Sequence, residues 1–541
     1  MPTVADFVVD RLEGLGLRHC FGLPGDYCLD LYDKLWNSSI KVVNNTDENH
    51  SGFAADAYAR INGVGCVCVT YNVGALKLTN SIACAYAERS PVILLCGSPG
   101  MNERKEGMLL HHMVRSFECQ HNIFENITCA STVLTNPTTA GYEVDRVLEV
   151  LKRKNQPIYI EIPRDIAKMP IEYDVYTQGT PDAPKSDMEN LSDALEEVTR
   201  WINSAKSPVI LAGVEIARFG LGKDLVRFAE KFNLPVIATL LSKSVISERH
   251  PLFAGIYAGP SSKEETRKLV DESDCLLMFG DILTDMVLSF RPAKFQKRQV
   301  VSCSMEELQV KNHTYTHVEF IDFCKALFKA ELTPRENILE KKNDQKPIFV
   351  GEDKSLTVAR FFEKIDSILD SKMAIVADVG DSLFGAGDLT VHHSNNFLSP
   401  AFYLSMGFAI PGALGAQIGN PDIRPLVIVG DGAFQMTANE LGTILEQKLN
   451  PIIFILNNGG FTTERFLKEG HFNDIRNWEY HLYTKMFNGG LGFKVQTELE
   501  LDSAIKTSLD SRELSVINVI LGNKDISLAL KRMTEALAKR V

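Results

Sequence analysis

The sequence of 541 residues lacks several features that mark specialised classes of protein. Its longest apolar runs, such as PIIFIL at 451–456, are too short to span a bilayer, and no basic leader precedes an apolar stretch near residue 1. Basic residues are not in excess, since 57 Lys and Arg stand against 69 Asp and Glu. These absences argue against a membrane protein and against nucleic acid as the main partner. We expect a soluble, cytoplasmic protein.

Motifs for zinc, redox chemistry and dinucleotides are also missing. The eleven cysteines form no C-x-x-C pair and no cluster with zinc spacing. Eight of them lie between Cys20 and Cys129, and the run GCVCVTY predicts a strand with Cys66 and Cys68 on one face. We expect reduced, buried thiols. No complete G-x-G-x-x-G follows a strand pattern, so dinucleotide binding has little support.

The sequence does contain an α/β rhythm along its whole length. A helical spacing of apolar residues runs from Thr3 to Gly16. Short buried runs, typical of parallel strands, recur in three groups. They lie at 67–71, 91–96 and 157–163, then at 208–213, 234–239, 275–280 and 299–303, then at 374–380, 425–432, 450–458 and 514–521. Two polar, aperiodic segments, 173–190 and 333–352, predict linkers, which divides the chain into domains 1–172, 189–332 and 353–541.

The most informative local motif is Gly430-Asp431-Gly432, followed after 24 residues by Asn457-Asn458. The runs around it predict a strand–helix–strand unit, in which Thr437 and Glu440 would form a capping box. The acidic and amide side chains then lie at the carboxyl ends of two parallel strands, where ligands bind in open α/β sheets. Their oxygens suit Mg²⁺, and the glycines admit a diphosphate beside a helix N-terminus. An ordinary turn and a strand-end loop would explain either piece alone, but not the spacing and context together.

This spacing is a signature of thiamine diphosphate enzymes, and the segment 429–458 resembles the diphosphate-binding domain of the 2-oxo acid decarboxylases. That family includes pyruvate, indolepyruvate and phenylpyruvate decarboxylases. Further stretches resemble it in order: GDYCLDLYDKL, DENHSGFAADAYAR, VTYNVGALKLTNSIACAYAERSPVILLCGSP, LLHHMV, HPLFAGIYAG and GDSLFGAGDL. The resemblance covers essentially the whole chain. It implies an α/β fold of three doubly wound parallel-sheet domains, which are the pyrimidine-binding, central and diphosphate-binding domains.

The resemblance also implies thiamine diphosphate and Mg²⁺ as cofactors. Glu48 matches the glutamate that activates the aminopyrimidine ring, although an acid there would also suit the start of a helix. The metal ligands would be Asp431, Asn458 and the carbonyl of Gly460. Other matching cofactor-binding positions are Thr70, Leu404, Met406, Gly430, Gly432, Ala433 and Phe461. In the family this glutamate reaches a cofactor held by the neighbouring subunit, which implies a homodimer or homotetramer with its active site at the subunit interface.

Four residues match the acid–base set of the family, namely Asp26, His111, His112 and Glu464. The cofactor is the electron sink in this chemistry, while the protein supplies proton donors and a dry site. Histidine suits proton transfer near neutral pH. The full set favours a carboxy-lyase that converts a 2-oxo acid to an aldehyde and carbon dioxide.

Two positions bear on the substrate. Leu383 stands where pyruvate-specific members carry a larger aromatic residue, and Thr463 replaces a branched aliphatic residue. We therefore expect an aromatic or branched-chain 2-oxo acid, such as phenylpyruvate or indolepyruvate, rather than pyruvate. Three alternatives stay open: a pyruvate decarboxylase, a carboligase of the acetolactate synthase type, and a non-catalytic nucleotide-binding or scaffold protein.

Overall fold

The computed structural model describes residues 1–105, 107–171, 185–285, 299–336, 339 and 348–538. The described residues form two compact units, one from Met1–Ala183, Tyr403–Ile423 and Gln435–Asn450, the other from Pro184–Phe402, Arg424–Phe434 and Pro451–Val541. The predicted linkers 173–190 and 333–352 lie partly outside the described residues. None of the helices in the described ranges is long and apolar enough to cross a bilayer.

The first sheet is built from the N-terminal third of the chain. Its strands are β1 (His19–Gly22), β2 (Lys41–Asn44), β3 (Gly65–Val69), β4 (Val92–Ser98), β5 (Ala130–Val133) and β6 (Ile158–Pro163). They lie in the order β2-β1-β3-β4-β6-β5, and every neighbouring pair is parallel. The helices between them are α1 (Val4–Gly14), α2 (Leu29–Trp36), α3 (Glu48–Asn62), α4 (Thr79–Ala87), α5 (Cys119–Glu125) and α6 (Pro137–Lys154).

The second sheet is parallel except at one edge. Its strands are β7 (Pro208–Ala212), β8 (Val236–Thr239), β9 (Phe253–Tyr257), β10 (Cys275–Phe279), β11 (Val300–Cys303), β12 (Leu308–Val310) and β13 (His313–Tyr315), in the order β13-β12-β11-β10-β7-β8-β9. The two pairs that involve β12 are antiparallel. The helices are α7 (Met188–Ser204), α8 (Val214–Arg218), α9 (Gly222–Phe232), α10 (Glu264–Asp271) and α11 (Phe320–Leu327).

Strand β10 explains why the central strands read as continuous apolar runs. Leu277 and Phe279 pack into the core on one face of the sheet, whereas Leu276 and Met278 pack into a separate core on the other face. Successive side chains of a strand point to opposite faces. With apolar packing on both faces, every position of the strand is therefore apolar.

The third sheet carries the predicted metal motif. Its strands are β14 (Met373–Ala377), β15 (Phe397–Leu398), β16 (Arg424–Gly430), β17 (Ile452–Asn457), β18 (Leu491–Val495) and β19 (Ser515–Ile520), all parallel, in the order β15-β14-β16-β17-β19-β18. Its helices are α12 (Val358–Ile368), α13 (Asp381–Gly387), α14 (Ala409–Gly419), α15 (Asp431–Thr437), α16 (Leu441–Glu446), α17 (Thr462–Leu467), α18 (Tyr483–Met486), α19 (Glu498–Asp510) and α20 (Leu528–Ala538). The predicted architecture of three parallel-sheet α/β domains is confirmed.

The cysteines are free thiols, as predicted from their spacing. Nine of the eleven are buried, and Cys119 and Cys129 are partly exposed. The Sγ atoms of Cys20 and Cys66 lie 3.5 Å apart on the neighbouring strands β1 and β3. Burial raises the pKa of the Cys66 thiol, which keeps it protonated and unreactive.

Helices α3 and α14 pack backbone against backbone within the first unit. A Cβ atom at Gly415 of α14 would lie 2.0 Å from the carbonyl oxygen of Ala54 in α3. Beside this crossing, the Phe53 and Phe408 rings meet edge to face with centroids 5.7 Å apart. Glycine at position 415 therefore sets the distance between the helix that begins at Glu48 and its partner.

Replacing Gly415 by Ala should destabilise the protein by about 1–3 kcal/mol, the usual cost of an added methyl group in a close-packed core. The added methyl group would push α14 away from the backbone of α3. The measurement is the midpoint of denaturant unfolding. The matched control is Gly14→Ala in α1, where nothing lies within 4 Å of the added Cβ atom. An unchanged midpoint in Gly415→Ala would contradict the close approach.

Candidate active site

Three of the predicted acid–base side chains meet at the carboxyl edge of the first sheet. Asp26 follows β1, and His111 and His112 lie in the segment after β4. Oδ2 of Asp26 lies 2.7 Å from Nε2 of His111, across 85 residues of sequence. The two histidine rings stand edge to face with their centroids 4.8 Å apart. Since β1 and β4 both flank β3, the parallel sheet brings these distant residues into one cluster.

Tyr27 orients this cluster and was not identified in the sequence analysis. Its buried ring stacks on His111 with centroids 4.7 Å apart and an interplanar angle of 16°. Its hydroxyl oxygen lies 3.3 Å from Nδ1 of His111, so both ring nitrogens of that histidine have a polar neighbour. The only sequence signal is its place beside Asp26 in the PGDY turn.

His112 is held through its backbone. Its φ of 67° lies in the left-handed region, which costs a non-glycine residue about 1–2 kcal/mol. The side-chain amide of Asn72 donates to the carbonyl of His112 at 2.7 Å and so fixes this conformation. Nδ1 of His112 is buried and has no hydrogen-bond partner within the described ranges. His112 therefore keeps a ring nitrogen that is not engaged by the protein.

Glu48 and Thr70 lie on either side of the turn that follows β3. Glu48 is the first residue of α3, so the prediction that an acid begins this helix is confirmed. Its Oε2 accepts a hydrogen bond from Nζ of Lys77 at 2.8 Å, and its Oε1 would lie 3.3 Å from a Cβ atom at Gly74. Thr70 is buried, and its hydroxyl has no partner among the described residues.

The segment before α14 holds Leu404 in an unusual conformation. Leu404 has a φ of 58°, in the left-handed region. The residues on both sides of it are fixed, because the Tyr403 N–H donates to Glu88 at 2.9 Å and the amide of Asn80 donates to Ser405 at 2.7 Å. Met406, two residues on, is 36% exposed. A strained backbone that is held from outside is typical of a functional segment.

The GDG and NN motifs meet at the carboxyl ends of β16 and β17. Asp431 begins α15, and its two carboxylate oxygens accept from the N–H groups of Gly432 and Gly459, each at 2.8 Å. Burial raises the pKa of Asp431 to about 6, although these backbone bonds partly oppose that shift. Oδ1 of Asn458 is buried without a partner in the described part of the chain. A desolvated carboxylate beside an unsatisfied amide oxygen fits a hard divalent cation.

The side chain of Asn457 faces the sheet instead. Its amide donates to the side-chain oxygens of Asn518 at 3.0 Å and Asn477 at 2.9 Å. This residue secures the end of β17. Asn458 is the one whose buried side-chain oxygen has no partner among the described residues.

Glycines let the backbone close around this motif. A Cβ atom at Gly460 would lie 2.0 Å from the carbonyl oxygen of Asn473, and the φ of Gly460 is 148°. A Cβ atom at Gly432 would lie 2.6 Å from the ring of Phe461. Ala433, next to it, is buried. The residues predicted to hold a diphosphate are therefore packed too closely for larger side chains at the two glycines.

Family profiles match the chain in three consecutive blocks. They describe the thiamine pyrophosphate enzyme N-terminal TPP-binding domain at residues 2–120, the central domain at 195–330, and the C-terminal TPP-binding domain at 378–519. Three relatives, each 30–31% identical, cover nearly the whole chain. They are a probable pyruvate decarboxylase of Schizosaccharomyces pombe (31% over 94% of this chain and 92% of the relative), an indole-3-pyruvate decarboxylase of Azospirillum brasilense (31% over 98% of each), and an alpha-keto-acid decarboxylase of Mycobacterium tuberculosis (30% over 99% and 97%).

The chain belongs to the thiamine diphosphate-dependent 2-oxo acid decarboxylases. It is therefore a carboxy-lyase, and thiamine diphosphate is its cofactor. The resemblance identified in the sequence is confirmed.

One local prediction about this decarboxylase was wrong. Thr437 and Glu440 do not form a capping box, because the helix already begins at Asp431 and Thr437 makes no capping hydrogen bond. Glu440 is buried, and its carboxylate accepts from Asn45 and from the Thr46 hydroxyl, both at 2.7 Å. Nδ1 of His50 also lies 3.0 Å from this carboxylate. The Glu440 side chain, which a local capping box would have used, is therefore bound by residues distant in sequence.

The remaining predicted residues of the decarboxylase lie in the second unit. Glu464 is exposed in the first turn of α17. Leu383 is fully buried in α13, and Thr463 is partly exposed. Oγ1 of Thr463 would lie 3.3 Å from a Cβ atom at Gly380, the residue before α13. The two predicted substrate positions therefore belong to neighbouring segments.

Proposed function

We propose that this decarboxylase acts on an aromatic or branched-chain 2-oxo acid, such as phenylpyruvate or indolepyruvate, in preference to pyruvate. The observation that carries the proposal is the pair of small or flexible side chains at Leu383 and Thr463, close to the start of α13. A larger aromatic at 383 and a branched aliphatic at 463 would fill space that a longer substrate needs. One relative is named for indole-3-pyruvate, which is consistent with such a substrate.

We propose that Asp431, Asn458 and the carbonyl of Gly460 hold Mg²⁺, which would bind the diphosphate of the cofactor. The buried, unpartnered oxygen of Asn458 and the desolvated carboxylate of Asp431 support this assignment. When bound, thiamine diphosphate accepts the electrons released as the carboxylate leaves. The N–H groups near Gly432 and the closely packed Phe461 ring would order and dry the site around it.

The residues of the first unit would handle protons. Asp26 and His111 share a hydrogen bond through Oδ2 and Nε2, so this pair can deliver a proton to the product carbon and recover one from water. Tyr27 keeps the His111 ring in one orientation. His112, with a ring nitrogen that no described residue engages, can hold a hydrogen bond to the substrate. Glu464 would be the fourth acid–base group.

We also propose that the enzyme is a homodimer or homotetramer with Glu48 contributed to the neighbouring active site. Between residues 466 and 486 several large apolar side chains are exposed, and exposed apolar surface is typical of protein interfaces where such side chains lie together. They include Leu467 at 66%, Phe472 at 65% and Met486 at 60%. A second copy would cover them.

The strand ends of the central domain, after β7 and β10, are a poor place for the flavin that a carboligase of the acetolactate synthase type would hold. A Cβ atom at Gly213, after β7, would lie 2.1 Å from the carbonyl oxygen of Gly280, after β10. Glu215 is buried beside these strand ends, and both carboxylate oxygens of Asp281 are buried there. Burial raises the pKa of Asp281 to about 7. Closely packed backbones and buried acids are a poor site for the diphosphate of a dinucleotide.

A substrate panel tests the proposal. With Mg²⁺ and thiamine diphosphate present, kcat/KM for phenylpyruvate, indolepyruvate or 4-methyl-2-oxopentanoate should exceed that for pyruvate by about 10- to 200-fold, the range for a pocket that fits extra apolar groups. Aldehyde release is measured with a coupled dehydrogenase, and assays without cofactor give the background.

Variants at Thr463 sharpen this test. Thr463→Ile should lower kcat/KM for the large substrates and leave that for pyruvate nearly unchanged, while Thr463→Ser serves as the control of similar size. A clear preference of the wild-type enzyme for pyruvate would overturn the substrate assignment. Acetolactate as the main product would overturn the proposed reaction.

A further inference from the structure

Lys77 forms an ion pair with the predicted activating glutamate, Glu48. It lies in a turn of 3-10 helix at Ala75–Leu78, just after the segment that carries Thr70. Its Nζ donates to Oε2 of Glu48 at 2.8 Å and also to the carboxylate of Asp47. One ammonium group therefore bridges two adjacent carboxylates at the start of α3.

The Glu48 end of this bridge is less exposed to solvent than a carboxylate in an ordinary surface ion pair, and this strengthens the interaction. The side chain of Glu48 is only 14% exposed, whereas that of Lys77 is 51% exposed. Hydrogen bonds from Lys77 to Asp47 and Glu48 raise the pKa of the lysine, so it stays charged. Burial alone would raise the pKa of Asp47, but its bonds from Lys77 and from the Asn49 N–H bring it below its ordinary value.

The bridge opposes what the cofactor requires of Glu48. In its predicted role, the carboxyl group of Glu48 must be free to contact the aminopyrimidine ring of the cofactor. The ammonium group of Lys77 lies 2.8 Å from Oε2 and holds that oxygen in place instead. Asp47 is a second partner for Lys77, so the lysine can keep its hydrogen bond to Asp47 when Glu48 contacts the cofactor.

We propose that Lys77 is a positioning residue that holds the Glu48 carboxylate in one orientation in the cofactor-free enzyme, and that thiamine diphosphate binds by drawing Glu48 away from it. Lys77 then remains with Asp47. The inference rests on the proposed role of Glu48. It predicts that loss of a favourable ion pair improves cofactor binding.

The first test measures the affinity of the metal-loaded, cofactor-free enzyme for thiamine diphosphate by titration calorimetry. Lys77→Met should bind the cofactor about 2- to 5-fold more tightly than wild type at low salt, which corresponds to the worth of a partly exposed ion pair. At high salt the difference should shrink, because screening weakens the pair in the wild type. Lys77→Arg should restore wild-type affinity.

Lys34→Met is the matched control. Lys34 pairs with Asp6 at 2.7 Å in the same unit, with side-chain exposures of 37% and 32%, and lies in α2. Its loss should leave cofactor affinity unchanged. If Lys77→Met does not fold, Lys77→Gln replaces it. Unchanged or weaker binding in the folded Lys77 variant would overturn the proposal.

A second test does not depend on catalysis. Reductive methylation with ¹³C keeps the lysine charge, and the Lys77 signal is assigned by its loss in Lys77→Met. That signal should move when thiamine diphosphate is added and should move similarly in cofactor-free Glu48→Gln. A signal that responds to neither change would overturn the inference. Loss of decarboxylation with both responses intact would instead count against the proposed function alone.

Discussion

Replacing Glu48 by Gln should lower kcat by about 100- to 10,000-fold, the usual contribution of a positioned acid–base group, while leaving the fold intact. Glutamine has nearly the same size and can begin α3, but it lacks the carboxyl group that the proposed activation of the aminopyrimidine ring requires. Lys77 retains Asp47 as a partner in this variant. The measurement is steady-state aldehyde release with saturating Mg²⁺ and cofactor, together with circular dichroism and the unfolding midpoint.

Asp47→Asn is the matched control for this variant. Asp47 is the adjacent carboxylate, shares the same lysine and caps α3 through the Asn49 N–H at 2.9 Å. Asparagine caps helices about as well as aspartate, so stability should change little. At saturating Mg²⁺ and cofactor, kcat should remain near the wild-type level. Full activity in Glu48→Gln would mean that Glu48 is not the activating acid.

Replacing Asp431 by Asn should weaken Mg²⁺-dependent binding of thiamine diphosphate by at least about 100-fold, more than the loss of an outer-shell contact to a metal ligand. Both carboxylate oxygens of Asp431 accept backbone N–H groups, from Gly432 and Gly459. An asparagine would turn its NH₂ group towards one of these donors and would remove the negative charge that attracts the cation. Calorimetric titration with the cofactor in the presence of Mg²⁺ measures the effect.

Asp422→Asn provides the control at the opposite end of the same strand. Asp422 is exposed and lies two residues before β16 begins, whereas Asp431 follows its end. The control should bind the cofactor with wild-type affinity. The metal-ligand assignment would be wrong if Asp431→Asn, shown to be folded by its unfolding midpoint, also bound with wild-type affinity.

Most interior strands of the three sheets were predictable from the sequence, whereas β1, β12 and the edge strands were not. Runs such as 91–96 and 157–163 lie within a residue or two of β4 and β6, because strands buried on both faces are apolar at every position. Strands β2 and β5, at the two edges of the first sheet, were not predicted. Both include exposed or partly exposed positions, so they carry no continuous apolar run.

For the site, only the residue types and the order of the motifs could be predicted from the sequence. Resemblance placed Asp26 and His111 in one set, although 85 residues separate them and no spacing links them. The stacking of Tyr27 and the bridge from Lys77 depend on how the segments fold together, so no linear pattern reports them. The capping prediction at Glu440 was wrong for the same reason, because Asn45 and Thr46 occupy that carboxylate.

The packing of α3 against α14 has a consequence for the order of events during synthesis. Helix α3 is complete once residue 62 has been made, but its partner begins only at residue 409. Nascent domains usually fold as units as they leave the ribosome. Here the first unit includes Tyr403–Ile423 and Gln435–Asn450. Helix α3 therefore remains without its partner α14 while most of the chain is translated. A fragment that ends at residue 172 lacks α14, the helix that packs on α3. We therefore expect this fragment to need a chaperone or a linked α14 segment in order to fold.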